Sequence, residues 1–402
     1  MLKNYFSSVK KGFKLKNFIN YFVIIAVAVI CIILAKSNAL KRADIVLLEQ
    51  IGYSVILSVS LSLVVGFLGE LSLGHAGFMC IGAYIGGYFQ QSLAPALSAS
   101  APLLSIILAM LIGGLVAAIF GFIIGLPALR LKGDYLAIVT LAFGEIVKVI
   151  FQNSPVFGGA IGMDTYRYNR MELFVIGFVM VLITVVVVQN LIRSKHGRAI
   201  MAIRDNEIAA RAMGVNVTFY KIAVFVLAAF FAGIAGVLYS NSNTHITSAT
   251  FDYNYSINIL VMVVLGGMGS INGSMIAAVV ITFLNNQLAT MLTGNLAALK
   301  NLIYALILIV IVIYRNAPMF KNIREKLTLK KLWKTIKVKV IKKLYEKHVE
   351  EDPGREEDHD VDWTVVPTKI DMDEIALGKH IREGKGEYVD DETTLFDEGG
   401  DK

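Results

Sequence analysis

Charged residues are scarce in this chain of 402 residues: they make up 17% of it, whereas hydrophobic residues make up 56%. Soluble domains contain about a quarter charged residues, so this composition argues against an ordinary water-soluble domain. A helix that crosses a bilayer needs about 20 mostly apolar residues, and the sequence contains many such runs. We expect one membrane domain to fill most of the chain.

Cysteine is much scarcer still, and motifs for ATP hydrolysis are missing. Cys31 and Cys80 are the two cysteines of the sequence, and both lie in apolar runs without the spacing of a metal site or a disulfide framework. The sequence contains no Gly-x4-Gly-Lys-Ser/Thr loop, so the chain cannot hydrolyse ATP by that route. It also lacks an evident nucleophile–base set or paired carboxylates. We therefore expect a non-enzymatic protein without a metal or cofactor of its own.

The apolar runs predict an all-α transmembrane bundle of about ten segments with broken or re-entrant helices. The runs are 18–35, 45–68, 73–89, 103–125, 135–152, 173–192, 222–240, 257–265, 275–291 and 299–314. The eighth run is too short to cross a bilayer at 1.5 Å per residue, and Gly266, Gly267, Gly269 and Gly273 follow it. Irregular backbone at membrane depth is tolerated only where protein or a water-filled cavity satisfies its polar groups. We expect a broken or partly re-entrant hairpin there, beside an internal path.

Charge is distributed unevenly, with 19 acidic and 6 basic residues in 350–402 and a net charge of +20 before them. Lys and Arg predominate in the loops that a cytoplasmic N-terminus would place inside, which predicts that both termini are cytoplasmic. Outside the transmembrane domain at 18–314, we expect a basic N-terminus at 1–17 and an acidic, disordered tail at 350–402. Residues 315–349 have the spacing of a basic amphipathic helix on the membrane surface, although a solvated charged helix fits them equally well.

The longest predicted cytoplasmic loop, 193–220, is expected to contain its own short helix. Asp205 or Asn206 can cap the start of this helix, and Gly214 can end it in the left-handed conformation. Glu207 and Arg211 are spaced to form an ion pair along one face. Three alanines nearby would allow a partner surface to approach closely. The residues assigned to coupling with a partner are Arg204, Asp205, Glu207, Ala209, Ala210, Arg211 and Gly214.

Glycines and polar groups within the apolar runs are candidates for a translocation path. The candidates are Gly69, Ser72, Gly74, His75, Gly77, Glu145, Gly266, Gly267 and Gly269. Tight helix packing would explain the glycines equally well, and a buried structural histidine would explain His75. Glu145 could instead be neutralised by Lys148, one turn away. Asn285, Asn286 and Gln287 fit either a path or hydrogen bonding between helices.

Several motifs resemble those of known transporter families. The spacing Ala209-Ala210-x-x-x-Gly214 after an acid resembles the EAA loop of ABC importer permeases, which docks on ATPase subunits, although the acid at Glu207 stands one place earlier here. Together with this loop, four further segments resemble the LivM-type permeases of branched-chain amino acid ABC importers over residues 45–314. These segments are GELSLGHAGF at 69–78, GLPALRLKGDYLAIVTLAFGEI at 125–146, GGAIG at 158–162 and VLGGMGS at 264–270.

This resemblance implies a permease subunit in the bacterial plasma membrane that forms the path for leucine, isoleucine and valine. Its implied partners are two ABC ATPase subunits that carry ATP and magnesium, a second LivH-type permease, an extracytoplasmic solute-binding protein and membrane lipid. No nucleic acid is expected. LivM-like permeases also serve urea and other small polar solutes, so these remain alternatives. An ion-coupled secondary transporter would also use broken helices, but it would not need the coupling loop.

Overall fold

The computed structural model describes residues 41–291, apart from 94, 132 and 167, and also residues 302, 303, 305, 306 and 309. Helices dominate this part of the chain. They are α1 (Arg42–Ser62), α2 (His75–Tyr88), α3 (Pro95–Ser100), α4 (Pro102–Ala128), α5 (Asp134–Asn153), α6 (Arg170–Arg193), α7 (Lys195–Asp205), α8 (Glu207–Ala212), α9 (Val217–Ser242), α10 (Tyr253–Gly266) and α11 (Ile271–Met291). The predicted all-α membrane bundle is confirmed.

Five stretches of the described chain are long and apolar enough to cross a bilayer. They are Ala43–Leu68, Pro102–Ala128, Arg170–Arg193, Val217–Ser242 and Ile271–Met291. Large apolar side chains such as Leu115 and Ile119 on α4 and Val179 on α6 are exposed. Apolar surfaces of this kind suit lipid or another membrane protein rather than water.

Two helices, α2 and α10, have only 14 residues each. At 1.5 Å per residue α10 is about 21 Å long, shorter than the roughly 30 Å hydrocarbon core, whereas α2 continues into a π-helical stretch, Phe89–Leu93. Before α2, the chain leaves α1 through a π-helical stretch, Leu63–Leu68, and turns at Gly69, whose φ is +82°. After α10, it turns at Gly267 and Gly269, which also have positive φ. Each short helix therefore adjoins a glycine break.

The predicted short eighth segment corresponds to α10, which begins four residues earlier, at Tyr253. α10 and α11 pack against each other directly after the turn. A Cβ atom at Gly273 would overlap the carbonyl oxygen of Gly266, so these glycines allow the two backbones to touch. The expected hairpin is present and consists of two helices joined by a glycine turn.

Close backbone packing also joins α2, α4 and α9 at the centre of the structure. A Cβ atom at Gly82 would overlap the carbonyl oxygen of Gly233, and one at Gly236 would overlap that of Met79. Gly113 on α4 meets the same Gly82 backbone. Small residues let membrane helices approach in this way, and van der Waals packing then holds them.

A small antiparallel pair of strands, β1 (Met163–Asp164) and β2 (His245–Ile246), joins two loops on one side of the bundle. The predicted segments 18–35 and most of 299–314 lie outside the described residues, as do the regions 1–17, 315–349 and 350–402. The domain boundaries, the total of ten segments and the cytoplasmic orientation of the termini stay predictions.

Candidate functional site

The predicted coupling loop, 193–220, contains two short helices. Ser194 caps α7, and Asn206 caps α8 by accepting hydrogen bonds from the backbone N–H groups of Ile208 and Ala209, both at 3.0 Å. The predicted short helix, from a cap at Asp205 or Asn206 to Gly214, is α8, and the helix before it, α7, was not predicted. To cap α8, Asn206 takes an extended backbone conformation (φ −158°, ψ 105°), which ends α7.

The end of α8 agrees with the sequence prediction. Gly214 has a left-handed φ of +81°, and its N–H donates to the carbonyl of Arg211 at 3.0 Å. The predicted pair between Glu207 and Arg211 is also present, with 2.9 Å between Oε1 and the guanidinium. The helix α8 thus has the cap, the glycine end and the ion pair that the sequence predicts.

Apolar side chains of α8 and of the residue after it point away from the other described residues. Ile208 is 78% exposed and Met213 is 84% exposed. Ala209 and Ala212 are exposed as well, whereas Ala210 is buried. Exposed apolar side chains beside small residues are typical of a protein-binding surface.

A buried lysine connects this loop to the first helix break. Lys221, near the start of α9, is 4% exposed, and its Nζ lies 2.5 Å from Glu70 Oε1 and 3.3 Å from Glu207 Oε2. Glu70 belongs to the non-helical segment between α1 and α2. Because Glu207 also binds Arg211, these charges form a continuous chain from the surface of α8 to the break.

Arg204, at the end of α7, makes a second connection to the breaks. Its guanidinium donates to the carbonyl oxygen of Gly66 at 3.2 Å and to Asp205 Oδ1 at 3.0 and 3.1 Å. A Cβ atom at Gly69 would lie 2.7 Å from Arg204 Cγ, and one at Gly269 would lie 3.3 Å from its guanidinium. The arginine therefore lies where both breaks can contact it.

The two breaks also contact each other. A Cβ atom at Gly66 would lie 2.7 Å from the backbone nitrogen of Gly269, so this approach requires glycine at 66, while the φ of +83° favours glycine at 269. Gly69 and Gly269, predicted as path residues, lie together here beside Arg204 and Asp205 of the predicted coupling set. Sequence positions far apart thus form one junction between α1, α7 and α10–α11.

Side-chain hydroxyls satisfy the backbone at the start of α2. The N–H of Leu73 donates to Thr140 Oγ1 at 2.9 Å, and the N–H of Ala76 donates to Ser256 Oγ at 3.1 Å. These bonds supply partners for donors that a helix start leaves free. α5 and α10 thereby hold the first turn of this short helix.

The predicted path residues at the start of α2 are closely packed. Ser72 and His75 are buried, and His75 Nε2 lies 2.8 Å from Ser60 Oγ. Cβ atoms at Gly74 and Gly77 would come within 2.5 and 2.8 Å of the backbone of α5. This geometry favours the packing explanation for both glycines and for His75. A role in the path stays a prediction for these residues.

Glu145 does more than pair with its neighbour. It accepts from Lys148 Nζ at 2.5 Å, as the spacing predicted, and from the backbone N–H of Tyr253 at 3.0 Å. Tyr253 is the first residue of α10, and Asp252 caps this helix by accepting a hydrogen bond from the N–H of Tyr255. A carboxylate at a helix N-terminus is favourable because of the helix dipole, so Glu145 fixes the start of α10.

The loop 158–162 is held against β2 on the side of the bundle away from the coupling loop. Gly162 has φ +98°, and a Cβ atom there would overlap the carbonyl oxygen of Ile246. His245 bonds to Asp164 Oδ1 through Nδ1 and to the Ile161 carbonyl through Nε2, both at 2.8 Å. Both partners accept hydrogen bonds, so they favour the doubly protonated ring and raise the pKa of His245.

The sequence analysis did not identify Glu70 and Lys221, whose ion pair joins the coupling loop to the first helix break. Their position could have indicated a role, because a single charged residue at the edge of an apolar run usually has a specific partner. In the described part of the chain, no group of three His, Cys, Asp or Glu side chains could hold a metal. The site consists of ion pairs and backbone contacts, which suits a mechanical connection between segments.

Comparison with known proteins identifies the family. The family model "Branched-chain amino acid transport system / permease component" matches residues 45–312, well over half of the chain. No solved structure matches the chain.

Individual relatives agree with this family. The chain is 34% identical over 260 residues to the high-affinity branched-chain amino acid transport system permease protein LivM of Salmonella typhimurium, and the match covers 56% of this chain and 59% of the relative. The LivM protein of Escherichia coli gives the same values. A probable LivM protein of Methanocaldococcus jannaschii is 28% identical over 257 residues, which cover 55% of this chain and 74% of the relative.

The chain thus matches about three fifths of the length of its two enterobacterial relatives. Its apolar helices and these relatives identify it as a multi-pass protein of the bacterial inner membrane. It belongs to the family of permease components of branched-chain amino acid transport systems.

Proposed function

We propose that this chain is the permease subunit of an ABC importer for leucine, isoleucine and valine. Separate ATPase subunits hydrolyse ATP, a second permease completes the membrane domain, and an extracytoplasmic binding protein delivers the solute. Both termini are cytoplasmic, and about ten segments cross or enter the membrane. The chain itself performs no catalysis.

The observation that carries this proposal is the connection between the coupling loop and the helix breaks. Lys221 joins Glu207 of α8 to Glu70, and Arg204 joins α7 to Gly66. A displacement of α7 and α8 by an ATPase would therefore be transmitted directly to both glycine breaks. A secondary transporter driven by an ion gradient has no need of such a loop.

Uptake by the reconstituted complex tests this function. The chain, its partner permease and two ATPases are placed in proteoliposomes with the binding protein, and uptake of labelled leucine is measured. We expect uptake that requires ATP, is suppressed by excess isoleucine or valine, and persists when ionophores collapse ion gradients.

A matched complex with the phosphate-binding lysine of both ATPases replaced serves as the control and should not import. Uptake that followed an ion gradient without ATP would contradict the mechanism. Uptake of urea in place of leucine would contradict the substrate and leave the ABC mechanism standing.

A further inference from the structure

A cavity of about 300 Å³ lies between α1, α10 and α11. Each helix contributes four residues at the spacing i, i+3, i+4, i+7, which is one face of an α-helix. The twelve residues are therefore three helix faces directed at one space. From α1 the contributors include Gln50 and Ser54, from α10 Asn258, and from α11 Thr282, Asn285 and Asn286.

The lining of this cavity is polar but uncharged. Its polar groups are amides and hydroxyls, which both donate and accept hydrogen bonds. Leu57, Ile259 and Met262 supply an apolar wall. None of the described residues that line it is acidic or basic. Such a lining can bind a molecule that has polar and apolar parts and no net charge.

Thr282 gives independent evidence that the cavity binds something polar. Thr282 is 8% exposed, and its Oγ1 has no hydrogen-bond partner among the described residues. Helical threonines commonly donate to their own helix, as Thr184 does to the Met180 carbonyl at 2.7 Å. A buried hydroxyl without a partner is costly, which is a reason to expect a partner from outside the described residues, such as a molecule bound in the cavity.

We propose that this cavity is a binding site for the transported solute, a zwitterionic amino acid with a branched apolar side chain. The amides and hydroxyls bind its ammonium and carboxylate groups, and the apolar wall contacts its side chain. A net charge on the solute would be buried here without a counter-ion, so cationic and anionic amino acids are excluded. This proposal rests on the proposed function and specifies where the solute binds.

The location of the cavity connects it to the junction at the coupling loop. Ser54 lies about 18 Å from Gly66 along α1 and the π-helical stretch that follows it, at about 1.5 Å per residue. α10 and α11 both line the cavity and meet at the turn containing Gly267 and Gly269. A shift at that turn would move two walls of the cavity relative to α1. The solute site therefore lies beyond the breaks, and Ser72 and Gly266 do not line it.

Two substitutions at Thr282 separate binding from packing. Thr282→Val keeps the shape and removes the hydroxyl, whereas Thr282→Ser keeps the hydroxyl and removes a methyl group. In the reconstituted complex we expect Val to raise the leucine concentration for half-maximal uptake about tenfold and Ser to leave it nearly unchanged. Thr184→Val, which alters a hydroxyl bonded within α6, is the matched control.

A larger side chain at Asn285 gives a second measurement. Asn285→Leu should abolish leucine uptake while the ATPases still co-purify, whereas Val280→Leu on the exposed face of α11 should transport normally. Normal uptake by Asn285→Leu, or impairment by Thr282→Ser and not by Thr282→Val, would overturn the cavity assignment. Failure of the unaltered complex to import leucine would instead refute the proposed function.

Discussion

The ammonium of Lys221 lies between two carboxylates from separate parts of the chain, 2.5 Å from Glu70 Oε1 and 3.3 Å from Glu207 Oε2. Glu70 lies in the break between α1 and α2, and Glu207 begins α8. The ammonium stabilises the negative charge of both carboxylates, which would repel each other without it. The lysine is therefore the point at which the loop and the break are joined.

Replacing Lys221 with methionine should destabilise the protein and uncouple it. The substitution leaves Glu70 without its cation, whereas Glu207 keeps Arg211, and breaking a buried pair costs about 3–5 kcal/mol. We expect a lower thermal unfolding midpoint in detergent and at least a tenfold loss of ATP-dependent leucine uptake.

Two further variants of this group serve as controls. Lys195→Met removes an exposed lysine of α7 and should change neither measurement. Combining Lys221→Met with Glu70→Gln should restore part of the thermal stability, because one uncompensated charge disappears. If Lys221→Met alone transported normally, the ion pairs would have no part in coupling.

Gly66→Ala should separate the two glycine breaks. The added Cβ atom would lie 2.7 Å from the nitrogen of Gly269, so one backbone must move. We expect normal membrane insertion and ATPase co-purification but strongly reduced uptake. Gly177→Ala on α6 adds the same atom where nothing lies within 4 Å, and it should behave like the unaltered protein.

Gly214→Pro should release the ATPases. Proline cannot adopt the φ of +81° seen at this position, and it lacks the N–H that donates to Arg211. Loss of ATPase co-purification with unchanged insertion is the expected result. Gly214→Asn is the matched variant, because asparagine tolerates the left-handed conformation, and it should retain the ATPases. Retention by the proline variant would remove α8 from the docking surface.

Asp164→Asn should lower the pKa of His245. Hydrogen bonds to Asp164 and to the Ile161 carbonyl raise that pKa from its ordinary value of 6.5. The charged pair therefore stabilises the fold below pH 6.5, and this stabilisation is lost as pH rises through the raised pKa. Titration of isotope-labelled histidine by NMR measures the shift. An unchanged pKa in the variant would show that Asp164 does not bind the ring.

Reporter fusions test the topology. The charge bias of the loops predicts that positions 17 and 321 are both cytoplasmic. Enzymatic reporters active only inside the cell should be active at each position. An external signal at either position would overturn the predicted orientation.

Local features of this protein were predictable from its sequence. Apolar runs located eight of the helical segments that lie in the described part, and glycine and polar residues located the end of α8 and the pair Glu207–Arg211. These features depend on residues a few positions apart. The helix α7 was missed, because Ser194 was not considered as its cap.

Contacts across the bundle were not predictable in the same way. Arg204 reaches Gly66, and Lys221 reaches Glu70, over separations of 138 and 151 positions. The glycines signalled that backbones would approach closely without indicating which partner each would meet. Likewise, the sequence showed Asn285 and Asn286 as polar residues in an apolar run. The cavity that they line also needs faces of α1 and α10, and periodicity within one sequence does not indicate which helices pack together.

The packing of Gly82 against Gly233 constrains how the transporter can move. The carbonyls and Cα atoms of α2 and α9 are in contact without side chains between them, so sliding one helix along the other would force backbone atoms together. In the proposed importer, we expect α2, α4 and α9 to move as one block. The hairpin of α10 and α11, whose helices are joined by a glycine turn, is then the part that we expect to move against that block.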